Sequence, residues 1–294
     1  MKDIIRFDLD HMPEANPGLT LALGNFDGVH RGHQRLFVET SLEASGDAAV
    51  LFFAHPFGHG PSLSSLEDKI RYAGTSRLDK LYVFDNDERM YGFSAEEFVE
   101  RVLIPLGTKT VVVGEDFRFG KNRSGDASLL QKYFRVIVVP LLEEDGSKVS
   151  STRIKALLSE GDILKANALL GRSYEIKGTI VHGFHNGSKI GFPTANIDCS
   201  FSYVLPKNGV YCGVVYLSGK AYRAMVNVGS NPTIGALDHP IIEAHILDFD
   251  GDCYDKTMYC AFLVYIRPEM KFDSLEELQK QLRIDEKKIR DILA

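Results

Sequence analysis

The sequence lacks the features by which several broad classes of protein are recognised. No apolar run of helix length follows the mixed charges of its first residues, so we expect neither a signal peptide nor a membrane span and predict a cytoplasmic protein. Its four cysteines form no C-x-x-C pair, which argues against a zinc site or a redox motif. With a formal net charge of -6, the chain offers no overall attraction to nucleic acid or to an acidic membrane. Any recognition of phosphate must therefore be local.

What is present is the composition of an ordinary folded protein. Hydrophobic residues make up 44% of the 294 positions and charged residues 25%, which supplies enough apolar side chain for real cores and excludes general disorder. A chain of this length exceeds the usual size of one compact domain. Because the pattern changes near residue 171, we predict two domains, residues 1–171 and residues 172–294.

The first part has the pattern of an α/β fold. Short apolar runs alternate with helical patterns, which indicates a parallel sheet with crossover helices. The predicted strands are residues 19–23, 48–53, 81–84, 110–113 and 136–139. Ser94 and Glu97 have the spacing of a capping box, so we expect a helix to start there and to run to about Leu103.

The second part has a different pattern. Two short helices are predicted first, over residues 152–159 and 162–169. Glycine-punctuated strands then follow without helices between them, which indicates a small antiparallel barrel. The strands predicted for it include residues 210–217, 221–228, 241–247 and 258–266. A last helix is expected from a capping box of Ser274 and Glu277, and one face of it should pack on the barrel. The apolar residues at roughly helical spacing are Leu275, Leu278, Leu282, Ile289 and Leu293.

A glycine-rich turn with two histidines follows the first predicted strand. A helical pattern begins directly after it, so the turn stands at a helix N-terminus, where free amides and the helix dipole favour a bound phosphate. Glycines in such a turn let a ligand approach the main chain. The residues that we place at this phosphate site are Gly24, Phe26, Asp27, Gly28, His30, Gly32 and His33.

His30 and His33 are the predicted catalytic residues of this site. Because they are three positions apart, they project to nearly the same side of a helical turn and can both donate to one polyphosphate. When an oxygen attacks the α-phosphorus of ATP, such donors stabilise the charge that grows on the leaving pyrophosphate. The segment therefore predicts adenylyl transfer from ATP. A metal-binding pair and two solvated surface histidines are the alternatives.

Three other segments carry residues suited to ligand binding. Phe117 and Phe119 follow the fourth predicted strand and could flank a planar ring, although a loop with aromatic core anchors is the alternative. Hydroxyls and a cation stand at the predicted helix start near residue 152, where they suit a triphosphate or serve as plain caps. A glycine-rich stretch before residue 190 has the wrong glycine spacing for a P-loop, so a Walker motif is absent from the sequence.

Together these segments resemble one family, the bacterial bifunctional riboflavin kinases and FMN adenylyltransferases, also called FAD synthetases. The resemblance spans nearly the whole chain and is carried by the H-x-G-H element, by residues 114–120 and 149–155, and by the G-F-P-T-A-N segment at 191–196. It implies a Rossmann-like nucleotidyltransferase domain with a parallel sheet, followed by a riboflavin kinase domain, a small antiparallel β-barrel with a C-terminal helix. It also implies riboflavin, FMN and ATP as substrates, FAD as the final product and Mg2+ as the cofactor.

In the first domain, the resemblance assigns roles to two further groups of residues. Those on the flavin side are His55, Asp116, Phe117, Arg118 and Phe119. Those beside the triphosphate of ATP are Ser150, Ser151, Thr152 and Lys155. The family usually has arginine in place of Lys155, and lysine replaces a planar bidentate fork by a point charge. We therefore expect weaker adenylyl transfer than is usual in the family.

In the second domain, the resemblance assigns the kinase residues. Thr194 and Asn196 are the expected Mg2+ ligands, because hydroxyl and amide oxygens separated by one residue can face the same way in an extended chain. Glu243 corresponds to the catalytic carboxylate and would accept the proton of the riboflavin 5'-hydroxyl. A simple turn and a solvent-facing strand glutamate are the alternatives. The other residues assigned to ATP and to the flavin are Gly183, Gly187, Lys189 and Asn227.

The leading hypothesis is a bifunctional enzyme that phosphorylates riboflavin to FMN and then adenylylates FMN to FAD. Two alternatives stay open. One is a riboflavin kinase whose first domain has lost most adenylyl transfer, motivated by Lys155. The other is a non-catalytic flavin-binding regulator. Neither nucleic acid nor a membrane is expected as a partner.

Overall fold

The computed structural model describes residues 2–55, 60–182, 191–229 and 241–293. The chain forms two compact units, Met1–Ser151 and Thr152–Ala294. The predicted boundary at residue 171 lies later than this division, because the two short predicted helices group with the second unit.

A parallel sheet forms the centre of the first unit. Its strands are β1 (Asp3–Phe7), β2 (Leu19–Ala22), β3 (Ala48–Phe53), β4 (Lys80–Phe84), β5 (Thr108–Gly114) and β6 (Arg135–Val139). They lie in the order β1-β4-β3-β2-β5-β6 and pair in parallel throughout. The five predicted strands are confirmed. The edge strand β1 was not predicted, because its charged residues interrupt the apolar pattern.

Alternate residues of the strands pack on opposite faces of this sheet. On β3, Ala49 and Leu51 belong to one hydrophobic core, whereas Val50 and Phe52 belong to another. This explains why the strands read as continuous apolar runs, since both of their faces are buried. The helices that cover the faces are α1 (Arg31–Glu43), α2 (Leu66–Gly74), α3 (Glu88–Tyr91), α4 (Ala95–Phe98) and α5 (Ala127–Leu130).

Local signals place the ends of these helices. The Ser94 side chain accepts from the amide of Glu97, and the Glu97 carboxylate accepts from the amide of Ser94 at 2.9 Å, so the predicted capping box is confirmed. The helix runs on through a π-helical turn, Val99–Leu103, to the predicted end. Late in the unit, a short hairpin of β7 (Glu143–Glu144) and β8 (Ser147–Lys148) was not predicted.

The order of the strands creates a crevice at β2. From β2 the chain moves outward through β3 and β4, and it then returns to β5 on the other side of β2. The loops that follow β2 and β5 therefore diverge, and the carboxyl ends of two such strands are the usual binding place in an open α/β sheet. The histidine turn follows β2, and residues 114–120 follow β5.

The second unit begins with two helices and continues as a closed antiparallel barrel. Helices α6 (Ser151–Glu160) and α7 (Ile163–Leu170) agree with prediction to within a residue at each end. The barrel strands are β9 (Tyr174–Val181), β10 (Ala195–Asp198), β11 (Gly209–Leu217), β12 (Lys220–Gly229), β13 (Ile241–Ile246) and β14 (Thr257–Arg267). They close in the order β10-β13-β12-β11-β14-β9, which confirms the predicted barrel.

The last helix, α8 (Leu275–Ile292), packs beside the barrel and begins at the predicted N-cap, Ser274. Ile289 is buried in a core with residues of β11 and β12, and Leu282 packs against the same core. Leu275 is 65% exposed, so its predicted packing is wrong. Ser274 caps the helix, whereas the Glu277 carboxylate accepts from the amide of Asp273. In the ranges that the structure covers, no helix has both the length and the apolar character needed to cross a membrane.

Candidate functional site

The histidine turn of the first unit has a strained main chain. Phe26 and Val29 have φ angles of 53° and 40°, and Gly28 lies between them at 79°. Positive φ is uncommon for residues other than glycine and is an outlier for a β-branched residue such as valine. Strain of this kind persists only where the surroundings hold it, and it concentrates at functional sites.

The two histidine rings are stacked on each other. Their centroids are 3.6 Å apart and their planes differ by 17°. His30 is the N-cap of α1, and its Nδ1 accepts from the amide of His33 at 3.4 Å. Because Nδ1 accepts, a neutral His30 carries its proton on Nε2, which leaves that atom as the donor. The prediction that the two side chains lie close together is confirmed.

Gly32 provides the space for this stacking. A Cβ atom at position 32 would lie 3.1 Å from Cε1 of His30 and 3.2 Å from its Nδ1. Such distances are tighter than ordinary contacts, so a side chain would displace the ring. The glycine at position 32 thus gives space to the His30 ring, and its main chain has no positive φ that a turn would require.

Phe26 and Gly24 support the histidines from the protein interior. The Phe26 side chain is 0% exposed, and its ring meets His33 edge-on at 5.3 Å and Phe52 edge-on at 5.7 Å. A Cβ on Gly24 would lie 3.0 Å from the Phe26 ring. Both were predicted at the phosphate site, and the structure places the Phe26 ring behind the histidines rather than at the surface.

Asp27 and Gly28 hold the turn against the segment before α2. The Asp27 carboxylate is buried and accepts from the amides of Leu63 and Ser64, at 2.8 and 3.2 Å. The amide of Gly28, a residue predicted at the phosphate site, donates to the Ser64 hydroxyl at 2.8 Å. Lys69, also buried, donates to the carbonyl of Asn25 at 2.9 Å. Sequence reasoning missed Ser64 and Lys69.

The loop after β5 presents a pair of aromatic rings. Phe117 and Phe119 are half-buried and stacked, with centroids 5.5 Å apart and planes that differ by 18°. Phe119 also packs on Phe98, which anchors the pair to the core. Arg118 is exposed, and its guanidinium donates to the carbonyl of Phe117 at 2.8 Å. Asp116 is exposed and forms an ion pair with Lys148 of β8.

The β7–β8 hairpin contacts both sides of the crevice. Lys148 pairs with Asp116 after β5, and Glu144 pairs with Arg31 between the two histidines. A turn with Asp145 at φ 53° and Gly146 at φ 67° joins the two strands. These φ values suit the tight turns of two-residue hairpins. The hairpin therefore links the histidine turn to the aromatic loop.

His55 lies at the carboxyl end of β3, held by a residue that sequence reasoning missed. Asn86 is 1% exposed; its Oδ1 accepts from the amide of His55 at 2.9 Å, and its Nδ2 donates to the His55 carbonyl at 3.1 Å. The His55 ring is exposed, and its Nε2 lies 2.9 Å from Oδ1 of Asp85. Asn86 follows β4 by two positions, and its long-range partner gives no signal in the local sequence.

The hydroxyl-rich start of α6 divides between the two units. Ser151 lies in the first unit, where its hydroxyl donates to the carbonyl of Asp27 at 2.8 Å, and Ser150 precedes it, half-buried. Thr152, exposed, and Lys155, half-buried, belong to the second unit. Within the first unit, Ser151 therefore contacts the histidine turn.

In the barrel, the predicted kinase residues form a row across three strands. Asn196 of β10 and Asn227 of β12 both lie directly opposite Glu243 of β13. Directly opposed residues have their side chains on the same face, so these three side chains lie together. Each is half-buried, whereas Ile242 and Ala244 beside the glutamate are buried on the other face.

The electrostatics of this row suit a base. Burial raises the pKa of Glu243 above its ordinary value, because desolvation disfavours the charged carboxylate. A carboxylate with a raised pKa is a stronger proton acceptor. Thr194 and Asn196 are half-buried on either side of the buried Ala195, as alternate residues of an extended segment are. Gly183, Gly187 and Lys189 lie outside the described residues.

Comparisons with known proteins match both units. A family model described as FAD synthetase matches residues 12–153, and one described as riboflavin kinase matches residues 170–293. The bifunctional riboflavin kinase/FMN adenylyltransferase of Listeria monocytogenes is 34% identical over 290 residues, which cover 93% of this chain and 92% of that protein. The protein of the same name from Pseudomonas fluorescens is 33% identical over 94% of each chain.

A solved structure has the same fold. It is described as a macrolide-efflux protein from Streptococcus pneumoniae, and it superposes with a TM-score of 0.84 at 31% identity. The match covers 97% of this chain and 99% of the other. Similarity in sequence and in structure thus extends over nearly the whole chain.

Proposed function

The chain belongs to the family of bifunctional riboflavin kinase/FMN adenylyltransferases, and from this premise we propose how its residues carry the two reactions. Riboflavin is phosphorylated by ATP to FMN, and FMN is then adenylylated by ATP to FAD with release of pyrophosphate. The observation that carries the proposal is that one chain holds both a stacked histidine pair at the switch point of a parallel sheet and a glutamate between two asparagines on a barrel.

Adenylyl transfer takes place at the histidine turn. A phosphate oxygen of FMN attacks the α-phosphorus of ATP, and the bond from that phosphorus to the bridging oxygen of pyrophosphate breaks. His30, through its protonated Nε2, and His33 donate to the phosphate oxygens on which negative charge grows. The amides at the start of α1 add the positive end of the helix dipole. Catalysis here consists of positioning and charge stabilisation.

The other residues of this site bind its substrates. Phe117 and Phe119 offer a stacked aromatic surface to the isoalloxazine ring of FMN, with His55, Asp116 and Arg118 as polar neighbours. Gly24, Phe26, Asp27, Gly28 and Gly32 shape the turn. Ser150, Ser151, Thr152 and Lys155 contact the triphosphate of ATP. The residues between the two family-model matches, 154–169, contain most of α6 and α7, which supports a division of activities between domains 1–171 and 172–294.

Phosphorylation of riboflavin takes place at the barrel. Glu243 accepts the proton of the ribityl 5'-hydroxyl while that oxygen attacks the γ-phosphorus of ATP, and ADP leaves. Asn227, on the same face, contacts the flavin. Gly183, Gly187 and Lys189 complete the ATP loop.

A divalent cation fits the oxygens beside Glu243. Thr194 and Asn196 present a hydroxyl and an amide oxygen to one side, which are ligands that Mg2+ accepts, with waters and ATP phosphates supplying the rest. When bound, Mg2+ neutralises charge on the transferring phosphoryl group. Within the described residues, no cluster of three or more His, Cys, Asp and Glu side chains offers a protein-only metal cage.

The substrates are small molecules that occur together with ATP in the cytoplasm, where we place the enzyme. Nucleic acid and membranes have no part in either reaction. The net charge of -6 agrees with local phosphate binding rather than with a polyanion surface.

The test is a product assay on the purified protein. Incubation with riboflavin and MgATP should yield FMN and then FAD, resolved by chromatography at successive times. Failure to form either product would overturn the proposal. If the reaction stops at FMN and Lys155→Arg restores FAD formation, the weak adenylyl transfer is caused by the lysine, which lacks the planar bidentate fork of arginine.

A further inference from the structure

One histidine beside the kinase row has no part in the chemistry described so far. His245 lies two positions after Glu243 on β13, so its side chain is on the same face of the strand. Its Nδ1 is 2.8 Å from the carbonyl oxygen of Pro193, which is far away in sequence. Its ring also packs on Phe192, with centroids 5.1 Å apart.

This contact requires a particular tautomer. A carbonyl oxygen only accepts hydrogen bonds, so Nδ1 of His245 must carry the proton and donate. The bond is of ordinary length for a nitrogen donor and an oxygen acceptor. His245 therefore acts here as a fixed donor toward the peptide that joins Pro193 to Thr194.

That peptide precedes the first proposed Mg2+ ligand. Proline fixes φ near -65°, so the direction of the Pro193 carbonyl decides how the chain enters Thr194. Three residues beyond Pro193, Asn196 lies opposite Glu243 in the β10–β13 pair. Strand β13 thus holds the segment 193–196 at two points, through the His245 hydrogen bond and through the strand pairing, while it also carries the proposed base.

We propose that His245 is a positioning residue for the kinase reaction, which sets the oxygen of Thr194 in its place relative to the carboxylate of Glu243. This inference rests on the function proposed above. Its basis is that a single strand presents both the proposed base and the donor that fixes the proposed metal-binding peptide. A shift of about 1 Å in such a group reduces rates by roughly a hundredfold in other enzymes, so partial loosening should be measurable.

Two variants of nearly equal shape separate the hydrogen bond from the packing. Asparagine places its Nδ2 donor at the same number of bonds from the main chain as Nδ1 of histidine, and leucine has the shape of asparagine without a donor. We expect His245→Leu to lower kcat for FMN formation about tenfold and to raise several-fold the Mg2+ concentration that gives half the maximal rate. His245→Asn should stay within about threefold of the parent in both quantities.

The adenylylation of FMN is the internal control in the same full-length chains, together with thermal unfolding. It should be unchanged in both variants. A His245→Leu protein with the parent's kcat and Mg2+ dependence would overturn the inference. Equal losses in His245→Asn and His245→Leu would also overturn it, because they would show that the ring acts by packing on Phe192. If the parent chain formed no FMN, the proposed function itself would fail, whatever the variants did.

Discussion

At the scale of single residues, Gly32 leaves space for the stacked histidine pair, because it has no Cβ atom. A Cβ on Gly32 would press on the stacked His30 ring, which would have to shift by a few tenths of an ångström. We expect Gly32→Ala to lower FAD formation from FMN about tenfold, because the added Cβ pushes the His30 ring from its place. Riboflavin phosphorylation in the same protein should be unchanged.

Gly74 provides the matched control for this variant. It is the last residue of α2, and a Cβ there would meet no heavy atom within 4 Å. Gly74→Ala should therefore leave FAD formation from FMN unchanged. If Gly32→Ala retained the parent's rate, the stacked arrangement would not be required for adenylyl transfer.

Glu243 provides a second prediction, on both activity and stability. Because burial raises its pKa, the charged carboxylate makes the folded state less stable at neutral pH. The folded state keeps its full stability below the ordinary carboxyl pKa, where Glu243 is neutral, and loses part of it as the pH rises through the raised pKa. Glu243→Gln should abolish FMN formation and yet increase the melting temperature at pH 8 more than at pH 4.

The measurement is thermal unfolding of parent and variant at the two pH values, beside an assay of FMN formation. The parent's rate of FMN formation should also fall as the pH is lowered through the raised pKa of Glu243, since the base must be ionised. A variant destabilised more at pH 8 than at pH 4 would show that the carboxylate is favourably paired in the folded state, and an equal change at both pH values would show that its pKa is not raised.

Sequence spacing points to the histidine pair more readily than to the residues that hold the surrounding loops. The histidine pair stands out by spacing and glycine context. Ser64, Lys69 and Asn86, in contrast, bond to partners 36, 44 and 31 positions away. No local pattern marks such long-range hydrogen bonds, because the contact exists only once the strands are ordered in the sheet.

At the scale of elements, the β7–β8 hairpin has the most direct consequence for substrate binding. Lys148 neutralises Asp116 at the edge of the flavin-side loop. Without this lysine, the carboxylate would repel the phosphate of FMN. Because the pair is exposed, its free energy is at most about 1 kcal/mol, so Lys148→Met should raise KM for FMN no more than about fivefold.

A double-mutant cycle with Asp116→Asn measures this coupling. The effect of Lys148→Met on KM should be smaller when Asp116 is already neutral. Lys132→Met, at another exposed position of the same unit, is the control. Equal effects of Lys148→Met with and without Asp116 would show that the lysine contacts FMN directly.

Helices and strands were predicted where the apolar pattern is regular or a cap is present. They were missed where the pattern is interrupted or too short. Strands β3 and β5 are apolar on both faces and were found. The edge strand β1 carries charges, and the two-residue strands β7 and β8 are too short to show any period. The capping box at Ser274 was half right, because Ser274 accepts from the amide of Glu277 but the Glu277 carboxylate accepts from the amide of Asp273.

At the scale of the whole molecule, the change from alternating helices and strands to strands alone predicted two units of different class, as found. Composition and pattern alone could not identify a flavin as the substrate. Glycines, histidines and hydroxyls indicate phosphate chemistry. The roles proposed for the loop at residues 114–120 and for the row of Asn196, Asn227 and Glu243 rest on the family.

The central claim is that two separate sites in one chain act in succession, and a mixing experiment tests it most directly. Glu243→Gln should make FAD from FMN but no FMN from riboflavin, and His33→Asn should make FMN but little FAD. With riboflavin and MgATP, neither variant alone should make FAD at the parent's rate. A mixture of the two variants should make FAD at that rate. A mixture that fails to make FAD, or a Glu243→Gln protein that still makes FMN, would contradict the account.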